Sequence, residues 1–484
     1  MYLGIDLGTS AIKLLLVDSD GEIIESVSKD YPVSYLNGNW AEQNPMDWWN
    51  ACYDGLKEIK NRNKIKGISF SGQMHGLVIL DNEDNVIRPA IIWCDQRTVA
   101  ECKELNSHSI DIKKITGNEV LTGFTLPKLL WIKKNEIENF KKISKIMLPK
   151  DFIAYKLSKV FATDYSDASG MSIMDIKKKQ WSEKILDLME ITSENLPWLY
   201  ESFEVIGKIK SNIANELGLP NNIKIIIGGG DQAVGAVGVG AVKEGILSVA
   251  LGTSGVVFAC SDRFIRDEKF RLHSFCHSNG KYHQMGVILS ASGALKWWVE
   301  GVNKEKNYEK YTVDASKIKP GSNNLFFLPY LMGERTPHND SDARGTFIGI
   351  TPTHTKADMT RSIIEGVSFA LMDTLSLLKD MDIPVDSIRI SGGGSKSELW
   401  KQILADIFGH EIVSINSSEG PALGAAILAM VGCKEFSSVE KACEVIIKEI
   451  NRVKPSKNRE IYTTLYSKYK KIYPLIKDVY KVIR

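Results

Sequence analysis

A tetrapeptide that occurs twice in the same surroundings constrains the fold of this chain more than any other feature. Leu7-Gly8-Thr9-Ser10 is repeated as Leu251-Gly252-Thr253-Ser254, each time between two apolar segments typical of β-strands. Recurrence of one strand–turn–strand pattern about half a chain apart predicts two homologous halves. The copies differ just before the leucine, where the first has Asp6 and the second has Ala250. If both turns bind phosphate groups, only the first also offers a carboxylate suited to a metal ion.

Strands and helices alternate along the rest of the chain. The segments KIIIGGGDQAVGAVGVG and SIRISGGGSKSELWKQILADIFG share one design, an apolar strand, three glycines and a helix. This alternation predicts the α/β class, with ligands at the carboxyl ends of the strands. An earlier helix is expected to begin with Asn44 as its N-cap and Pro45 at its first position.

The 484 residues have room for two or three domains at about 150 residues each. We divide them into a first domain at 1–244, a second domain at 245–440 and a helical extension at 441–484. From about Glu460, the extension is expected to form a lysine-rich amphipathic helix that packs on the body of the protein and is kinked at Pro474. Its apolar face is predicted to carry Leu465, Tyr469, Ile472, Ile476 and Ile483.

Composition excludes several kinds of protein. Lys plus Arg total 61 and Asp plus Glu total 59, a formal charge of +2, which argues against a nucleic-acid partner. Seven cysteines without a CxxC pair favour a reducing compartment over a disulfide framework. The N-terminus lacks the features of a signal peptide, and the apolar runs are too short to cross a bilayer. These observations predict a cytoplasmic protein without a membrane partner.

Four glycine turns are candidates for binding phosphate. Neither a P-loop nor a strand followed by GxGxxG occurs, so the common nucleotide motifs are not supported. Glycine instead lets a backbone approach a phosphate closely and direct its N–H groups at it. One such turn is usually only a turn, but four of them, two with duplicated hydroxyls, favour a nucleotide held between two halves. The turns are Gly8–Ser10, Gly228–Gly230, Gly252–Ser254 and Gly392–Gly394.

Two aspartates adjoin these turns. Asp6 ends the first strand, and Asp231 follows the triple glycine where a helix begins. An aspartate at a helix start is often structural, but the glycines leave this side chain open to a ligand. Phosphoryl transfer to an alcohol needs a carboxylate near the attacking hydroxyl and Mg²⁺ to neutralise developing charge. Asp231 and Asp6 are one candidate for each task.

A polar cluster suited to a small polyol follows other strands. It comprises Met74 and His75, the segment from Trp93 to Arg97, and Gln232 beside Asp231. A lone histidine is usually a satisfied core residue, but His75 lies in a predicted loop at a strand end, where residues more often meet ligands.

Three histidines and a cysteine close together in the sequence do not indicate a zinc site. The spacing matches no common structural zinc pattern, and the segment is more typical of two strands joined at Ser278-Asn279-Gly280. The four residues are His273, Cys276, His277 and His283.

Ordered motifs along nearly the whole chain resemble the FGGY family of carbohydrate kinases. The resemblance implies two actin-like (ribonuclease-H-like) domains with a nucleotide and sugar cleft between them. It is greatest to the members of this family that phosphorylate D-xylulose. The motifs are IDLGTS, SGQMHG, PAIIW, TGFTLPKLLW, MLPKDF, TDYSDASG, GGGDQAVGAVGVG, SVALGTSG, HSFCH, FFLPYLMGERTPHND, ISGGGSKSELW and GPALGAA.

The resemblance also implies roles for individual residues. Asp231 resembles the family's catalytic base, and Asp6, together with Asp231, resembles its magnesium site. Met74 and His75 match the sugar-binding pair, where glycerol kinases carry Arg and Glu. The resemblance implies Trp93, Asp231 and Gln232 as further sugar contacts. The ATP-binding residues implied are Gly8, Thr9, Ser10, Lys13, Gly252, Thr253, Gly392, Gly393, Gly394 and Ser397.

The chain departs from the family pattern at two places. Gln232 stands where many of the xylulose-specific members have Asn, and Trp93-Cys94-Asp95-Gln96 differs from the Trp-Asn-Asp-Gly segment of one branch. Both departures leave the reaction intact and bear on the choice of sugar.

The resulting expectation is a cytoplasmic kinase that makes D-xylulose 5-phosphate from D-xylulose with ATP and Mg²⁺. Its partners would be these small molecules, and a homodimer is one alternative for its assembly. Another sugar of the same family (ribulose, gluconate or a deoxy sugar) is the nearest alternative function. An actin-like ATPase chaperone or filament protein is a more distant one, since the sequence shows no peptide-binding insertion. A sugar-sensing repressor is disfavoured, because no helix-turn-helix precedes the first strand.

Overall fold

Two seven-stranded sheets, one in each half of the chain, form the framework of the computed structural model, which describes residues 1–417 and 419–483. In the first half the strands are β1 (Tyr2–Leu7), β2 (Ala11–Val17), β3 (Ile23–Asp30), β4 (Ser34–Leu36), β5 (Trp40–Gln43), β6 (Gly67–Gly72), β7 (Val78–Leu80), β8 (Ala90–Ile91), β9 (Lys145–Met147), β10 (Ala162–Asp164), β11 (Met174–Asp175), β12 (Gln180–Trp181), β13 (Trp198–Tyr200), β14 (Val205–Lys208), β15 (Lys224–Ile226) and β16 (Gly229–Gly230). The helices there are α1 (Pro45–Glu58), α2 (Val99–Ser107), α3 (Ile112–Thr116), α4 (Thr125–Asn135), α5 (Ile137–Lys141), α6 (Pro149–Ser158), α7 (Tyr165–Ala168), α8 (Glu183–Met189), α9 (Ser211–Leu217) and α10 (Asp231–Gly238).

The second half has fewer and longer elements. Its strands are β17 (Gly245–Leu251), β18 (Gly255–Ser261), β19 (His273–Cys276), β20 (Tyr282–Ile288), β21 (Phe326–Leu328), β22 (Thr346–Ile348), β23 (Val385–Ser391), β24 (Ile412–Ile415) and β25 (Glu449–Val453). Its helices are α11 (Ser292–Lys296), α12 (Tyr308–Ser316), α13 (Lys356–Asp380), α14 (Glu398–Phe408), α15 (Gly420–Gly432), α16 (Val439–Ile446) and α17 (Arg459–Val482).

The two sheets repeat one arrangement around the duplicated turn. In the first sheet, β1 pairs antiparallel with β2 and parallel with β6. In the second sheet, β17 pairs antiparallel with β18 and parallel with β23. The prediction of two similar α/β halves is therefore confirmed, and both turns lie at the carboxyl end of a central strand, where such sheets bind ligands.

The local signals at α1 also correspond to the structure. The side chain of Asn44 accepts a hydrogen bond from the backbone N–H of Met46 at 3.1 Å, and Pro45 is the first helical residue. Proline is suited to this position because its missing N–H would have no intrahelical partner there.

Helix α15 joins the halves. Although it follows β24 of the second sheet, it packs on β1 and β6 of the first sheet and crosses α10. Small residues allow this close approach: a Cβ added to Gly4 would lie 2.0 Å from the carbonyl oxygen of Ala422, and one added to Gly424 would lie 1.9 Å from that of Val234. Helix α15 is thus one of the connections between the two halves.

The region 441–484 differs from the predicted helical extension. Strand β25 pairs with β24 and forms an edge of the second sheet. Tyr462, Leu465 and Tyr469 of α17 are buried in the core of the second half, so this region completes the domain. The helix continues through Pro474, and Ile483, predicted on the apolar face, is 64% exposed. No helix in residues 1–417 or 419–483 is long and apolar enough to span a membrane.

Candidate active site

Asp6 lies at the carboxyl end of β1, where the central strands of the first sheet meet. The parallel register places it opposite Ser71, just before the end of β6. Burial raises the pKa of its carboxyl group, and the cation of nearby Lys13 opposes this shift. A partly buried carboxylate therefore stands at the ligand-binding edge of the sheet, as the sequence predicts.

The triple-glycine turn carries Asp231 to the same edge. Gly228 has a φ of +70°, and a Cβ on it would lie 1.8 Å from the carbonyl oxygen of Phe70. Only glycine fits this backbone path, which then pairs Gly229 with Ser71 through β16. Asp231 follows as the first residue of α10.

The carboxyl group of Asp231 has the electrostatics of a proton acceptor near neutral pH. Burial raises its pKa to about 7, and the negative charge of Asp6 contributes to the increase. Hydrogen bonds from the side chain and backbone of Gln232 act in the opposite direction. A base with a pKa near the working pH combines a large ionised fraction with a strong pull on a proton.

Met74 and His75 line the wall next to this carboxylate. Met74 is buried and packs on Gly230, whose added Cβ would lie 2.8 Å from its Cγ. His75 has a φ of +69°, an uncommon conformation for a residue other than glycine, of a kind that clusters at functional sites. Its Nδ1 lies 2.8 Å from the carbonyl oxygen of Gly170.

The hydrogen bond to Gly170 fixes the tautomer of His75. A carbonyl oxygen only accepts, so Nδ1 carries the hydrogen and Nε2 is an acceptor. Burial, together with the cation of Lys128, keeps the pKa of His75 well below its usual range, so the ring is neutral. The imidazole can therefore accept a hydrogen bond from a hydroxyl of a ligand.

Trp93 contacts the first glycine turn. Its indole Nε1–H donates to the hydroxyl of Thr9 at 2.9 Å, while the ring is 44% exposed. Asp95, which is fully buried, pairs with Arg97 at 2.7 Å and accepts the backbone N–H of Ala41. This buried pair holds the loop that presents the tryptophan.

The second group of predicted residues gathers in the other half. Gly392 has a φ of +84° and lies against the end of β17, since its added Cβ would be 2.6 Å from the carbonyl oxygen of Leu251. Gly394 is similarly close to the hydroxyl of Ser292. The turns at Gly252–Ser254 and Gly392–Gly394 thus adjoin, and Thr253 is exposed beside them.

Thr253 borders an open cavity of about 610 Å³. The cavity continues along α11 and the following π-helical turn, which were not predicted as part of the site. The sequence contains a signal for this part of the site, because small residues follow β20 just as glycines follow β15 and β23. The other lining residues are Ser290, Gly293, Lys296, Trp297, Glu300, Gly301, Leu331 and Met332.

Two predicted nucleotide contacts have partners within the protein. Lys13 forms an ion pair with Glu419 at 2.6 Å, which links the first hairpin to the start of α15. Ser397 is the N-cap of α14 and accepts the backbone N–H of Trp400. Gly393 is exposed and has no atom within 4 Å of an added Cβ.

The segment that carries these three histidines and the cysteine forms two paired strands, β19 and β20. His273, His277 and His283 are buried, and burial is the first cause that lowers the pKa of each. His277 Nε2 lies 3.1 Å from the carbonyl oxygen of Ala241. The described residues contain no group of three or more side chains arranged to hold a metal ion.

Two homologous α/β halves with paired glycine–hydroxyl turns define the actin-like, ribonuclease-H-like class of proteins. Family models for the N-terminal and C-terminal domains of the FGGY family of carbohydrate kinases match residues 1–238 and 247–433. A xylulose kinase from Bacillus subtilis (strain 168) is 38% identical over 99% of this chain and 97% of its own.

Solved structures agree with this match. A xyloylose kinase from Brucella ovis has a TM-score of 0.94 at 34% identity and covers 99% of both chains. A gluconate kinase from Lactobacillus acidophilus has a TM-score of 0.95 at 29% identity and covers 100% of this chain and 99% of its own. The chain belongs to the FGGY family of carbohydrate kinases, and the predicted family, fold class and enzyme class are confirmed.

Proposed function

We propose that the protein transfers the γ-phosphoryl group of ATP to the terminal hydroxyl of D-xylulose, giving D-xylulose 5-phosphate and ADP. The observation that carries this proposal is the Asp231 carboxyl group, with its pKa raised to about 7, between the Met74–His75 wall and the carboxylate of Asp6. The xylulose kinase from Bacillus subtilis, similar over nearly the whole chain, supports the choice of sugar.

In the reaction, the Asp231 carboxylate takes the proton of the attacking hydroxyl. The oxygen forms a bond to the γ-phosphorus, the bond to the β-phosphate oxygen breaks, and ADP leaves. Little covalent chemistry is needed from the protein in such a transfer, so positioning and electrostatics supply most of the rate.

The sugar would lie along the wall of the first half. The neutral His75 ring accepts from a sugar hydroxyl through Nε2, because Nδ1 is engaged with Gly170. The Trp93 ring offers an exposed apolar face, and the Gln232 amide can exchange its bond to Asp231 for one to a hydroxyl. Apolar walls with a few fixed polar groups are typical of small-ligand sites.

ATP would bind across both glycine turns. Backbone N–H groups and hydroxyls at Gly8–Ser10 and Gly252–Ser254 suit the phosphates, and the cavity beside Thr253 has room for the nucleoside. Lys13 would exchange its ion pair with Glu419 for the phosphates. Gly392–Gly394 and Ser397 form the neighbouring loop.

Asp6 and Asp231 fit a magnesium ion shared with the substrate. The two carboxylates are near enough for the charge of one to raise the pKa of the other, a repulsion that a cation relieves. Mg²⁺ in kinases uses one or two carboxylates plus phosphate oxygens, which agrees with a site that lacks a third protein ligand among the described residues. When bound, the ion neutralises charge on the phosphoryl oxygens.

A panel of sugars tests the proposal. With coupled ADP detection, kcat/KM should be highest for D-xylulose and lower for D-ribulose, D-gluconate and glycerol. Gluconate is the main competitor, because a gluconate kinase shares the fold at a TM-score of 0.95. A higher kcat/KM for gluconate than for D-xylulose would make gluconate the substrate. ATP hydrolysis at the same rate with and without every sugar would favour an actin-like ATPase.

We further propose that the enzyme acts in the cytoplasm on these small molecules, without nucleic-acid or membrane partners. A homodimer stays a prediction, which light scattering of the purified protein would check.

A further inference from the structure

A buried polar network lies directly behind the loop that carries Asp231. Lys150, Asp164 and Ser166 are each 0% exposed. The Lys150 ammonium lies 3.0 Å from Asp164 Oδ1, and the Ser166 hydroxyl donates to Asp164 Oδ2 at 2.5 Å. None of the three side chains was assigned a role from the sequence.

The Ser166 hydroxyl uses all of its hydrogen-bonding capacity. A hydroxyl has one hydrogen to donate and two lone pairs to accept with. The hydrogen goes to Asp164, and the lone pairs receive the backbone N–H of Gly230 at 3.2 Å and the hydroxyl of Ser278 at 3.2 Å. Gly230 is the residue immediately before Asp231, and Ser278 belongs to the second half of the chain.

Close packing reinforces these bonds. A Cβ added to Gly229 would lie 2.6 Å from Ser166 Oγ and 2.5 Å from Ser278 Oγ. The Gly228–Gly230 loop therefore packs directly against the two hydroxyls. Its position against them determines where α10 begins.

Asp164 and Lys150, which hold Ser166, are themselves fixed by further bonds. Asp164 also receives the backbone N–H of Ser166 at 2.8 Å and the hydroxyl of Ser202 at 2.6 Å. Lys150 is held by a second carboxylate, Asp151, at 2.6 Å. A buried charge without such partners is strongly unfavourable, so neither ion can shift without losing several bonds at once.

We propose that Ser166, held by Asp164 and Lys150, is a positioning residue that fixes the Gly229–Gly230 peptide, next to Asp231, so that the Asp231 carboxylate points at the attacking hydroxyl. The inference rests on the proposed role of Asp231 as the base. A misplacement of about 1 Å at a reacting group can cost about 10²-fold in rate, so loss of one anchoring bond is large enough to measure.

The test compares two variants of the full-length protein that remove a hydroxyl from the same carboxylate oxygen. Ser166→Ala removes the acceptor of the Gly230 N–H. Ser202→Ala removes a donor to Asp164 but keeps the backbone bond from the Gly228 N–H to the Ser202 carbonyl oxygen at 3.0 Å. We expect Ser166→Ala to lower kcat by about 10-fold to 10²-fold, with both KM values within about two-fold. For Ser202→Ala we expect kcat within about two-fold of the unaltered protein.

The pair separates positioning from general stability, because both changes leave a buried carboxylate with one donor fewer. An equal fall of kcat in both variants, or an unchanged kcat in Ser166→Ala, would overturn the proposal. If Ser166→Ala does not fold, Ser166→Cys replaces it, since sulfur is only a weak acceptor. A folded Cys variant with undiminished kcat would also contradict the inference. Failure of the proposed base itself would show separately, as full turnover in Asp231→Asn.

Discussion

At Asp231, the surroundings that suit the carboxylate to its proposed role as base also make its removal informative. Asn has the same shape but cannot accept the proton of a hydroxyl. We expect Asp231→Asn to lower kcat by at least the roughly 10²–10⁴-fold typical of a general base, while sugar binding measured by calorimetry changes little.

A matched control exists in the first turn of α1, where Asp47 also lies near a helix start but is not one of the predicted site residues. Asp47→Asn makes the same chemical change and should leave turnover unaltered. Turnover near the normal value in Asp231→Asn would remove this residue from the role of base.

The raised pKa of Asp231 predicts the acid side of the pH profile. The base works when ionised, so kcat/KM should fall as pH decreases through about 7, where the free enzyme takes up the proton. The hydrogen bonds of Gln232 lower this pKa. Replacing the side chain in Gln232→Ala should therefore move the acid limb to higher pH in a plot of log kcat/KM. A limb that stays in place, or moves to lower pH, would contradict this account.

Single site residues could be predicted from the sequence where the residues that contact one another are also neighbours in the chain. Gly228–Gly230 and Asp231 are contiguous, so the strand, the turn and the helix start were visible together. Ser166 bonds to Gly230 across 64 positions of the chain and to Ser278 across 112. No local pattern predicts such contacts, so the network behind the Gly228–Asp231 loop became visible only in the structure.

At the scale of elements, the alternation of apolar residues identified the interior strands but did not identify one edge strand. Strand β25 (Glu449–Val453) is largely exposed and mostly polar, so its sequence resembles a loop. Its backbone pairing with β24 creates the strand. Helix α17 shows the opposite case: its apolar spacing was visible, but the sequence did not show that this face is part of the second core.

Two leucines of α17 test whether the apolar face of this helix is part of the second core. Leu465 is 6% exposed and packs against Gly321, whereas Leu475 is 82% exposed. We expect Leu465→Ala to lower the free energy of unfolding by about 2–5 kcal/mol, because it removes buried methyl groups and leaves a cavity. Leu475→Ala should change it by no more than about 0.5 kcal/mol. Thermal unfolding measures both, and equal effects would place α17 outside the core.

At the scale of the whole molecule, the two halves pack against each other, and a helix from the second half of the chain belongs structurally to the first sheet. Helix α15 leaves the second sheet, packs on β1 and β6 of the first, and begins beside the Lys13–Glu419 ion pair. The predicted bounds of 1–244 and 245–440 follow the duplicated turns and stay a prediction. The packing of α15 shows that residues after 244 also cover the first sheet, so part of the chain that follows the second phosphate turn supports the strands around Asp6.

Two glycines at the crossing of α10 and α15 test how closely the halves must approach. A Cβ on Gly424 would lie 1.9 Å from the carbonyl oxygen of Val234 and 2.9 Å from the backbone nitrogen of Gly238, so the helices would have to separate. A Cβ on Gly235 would meet only Pro421, at an ordinary 3.5 Å. We expect Gly424→Ala to destabilise the protein by about 1–3 kcal/mol or more, through overpacking against backbone that cannot rotate away. Gly235→Ala should be neutral or stabilising by up to about 1 kcal/mol, since alanine favours a helix. Separation of the helices would also displace Asp231 at the start of α10, so Gly424→Ala should lower kcat and the unfolding temperature together. A Gly424→Ala protein with undiminished stability would show that the crossing is looser than the structure indicates.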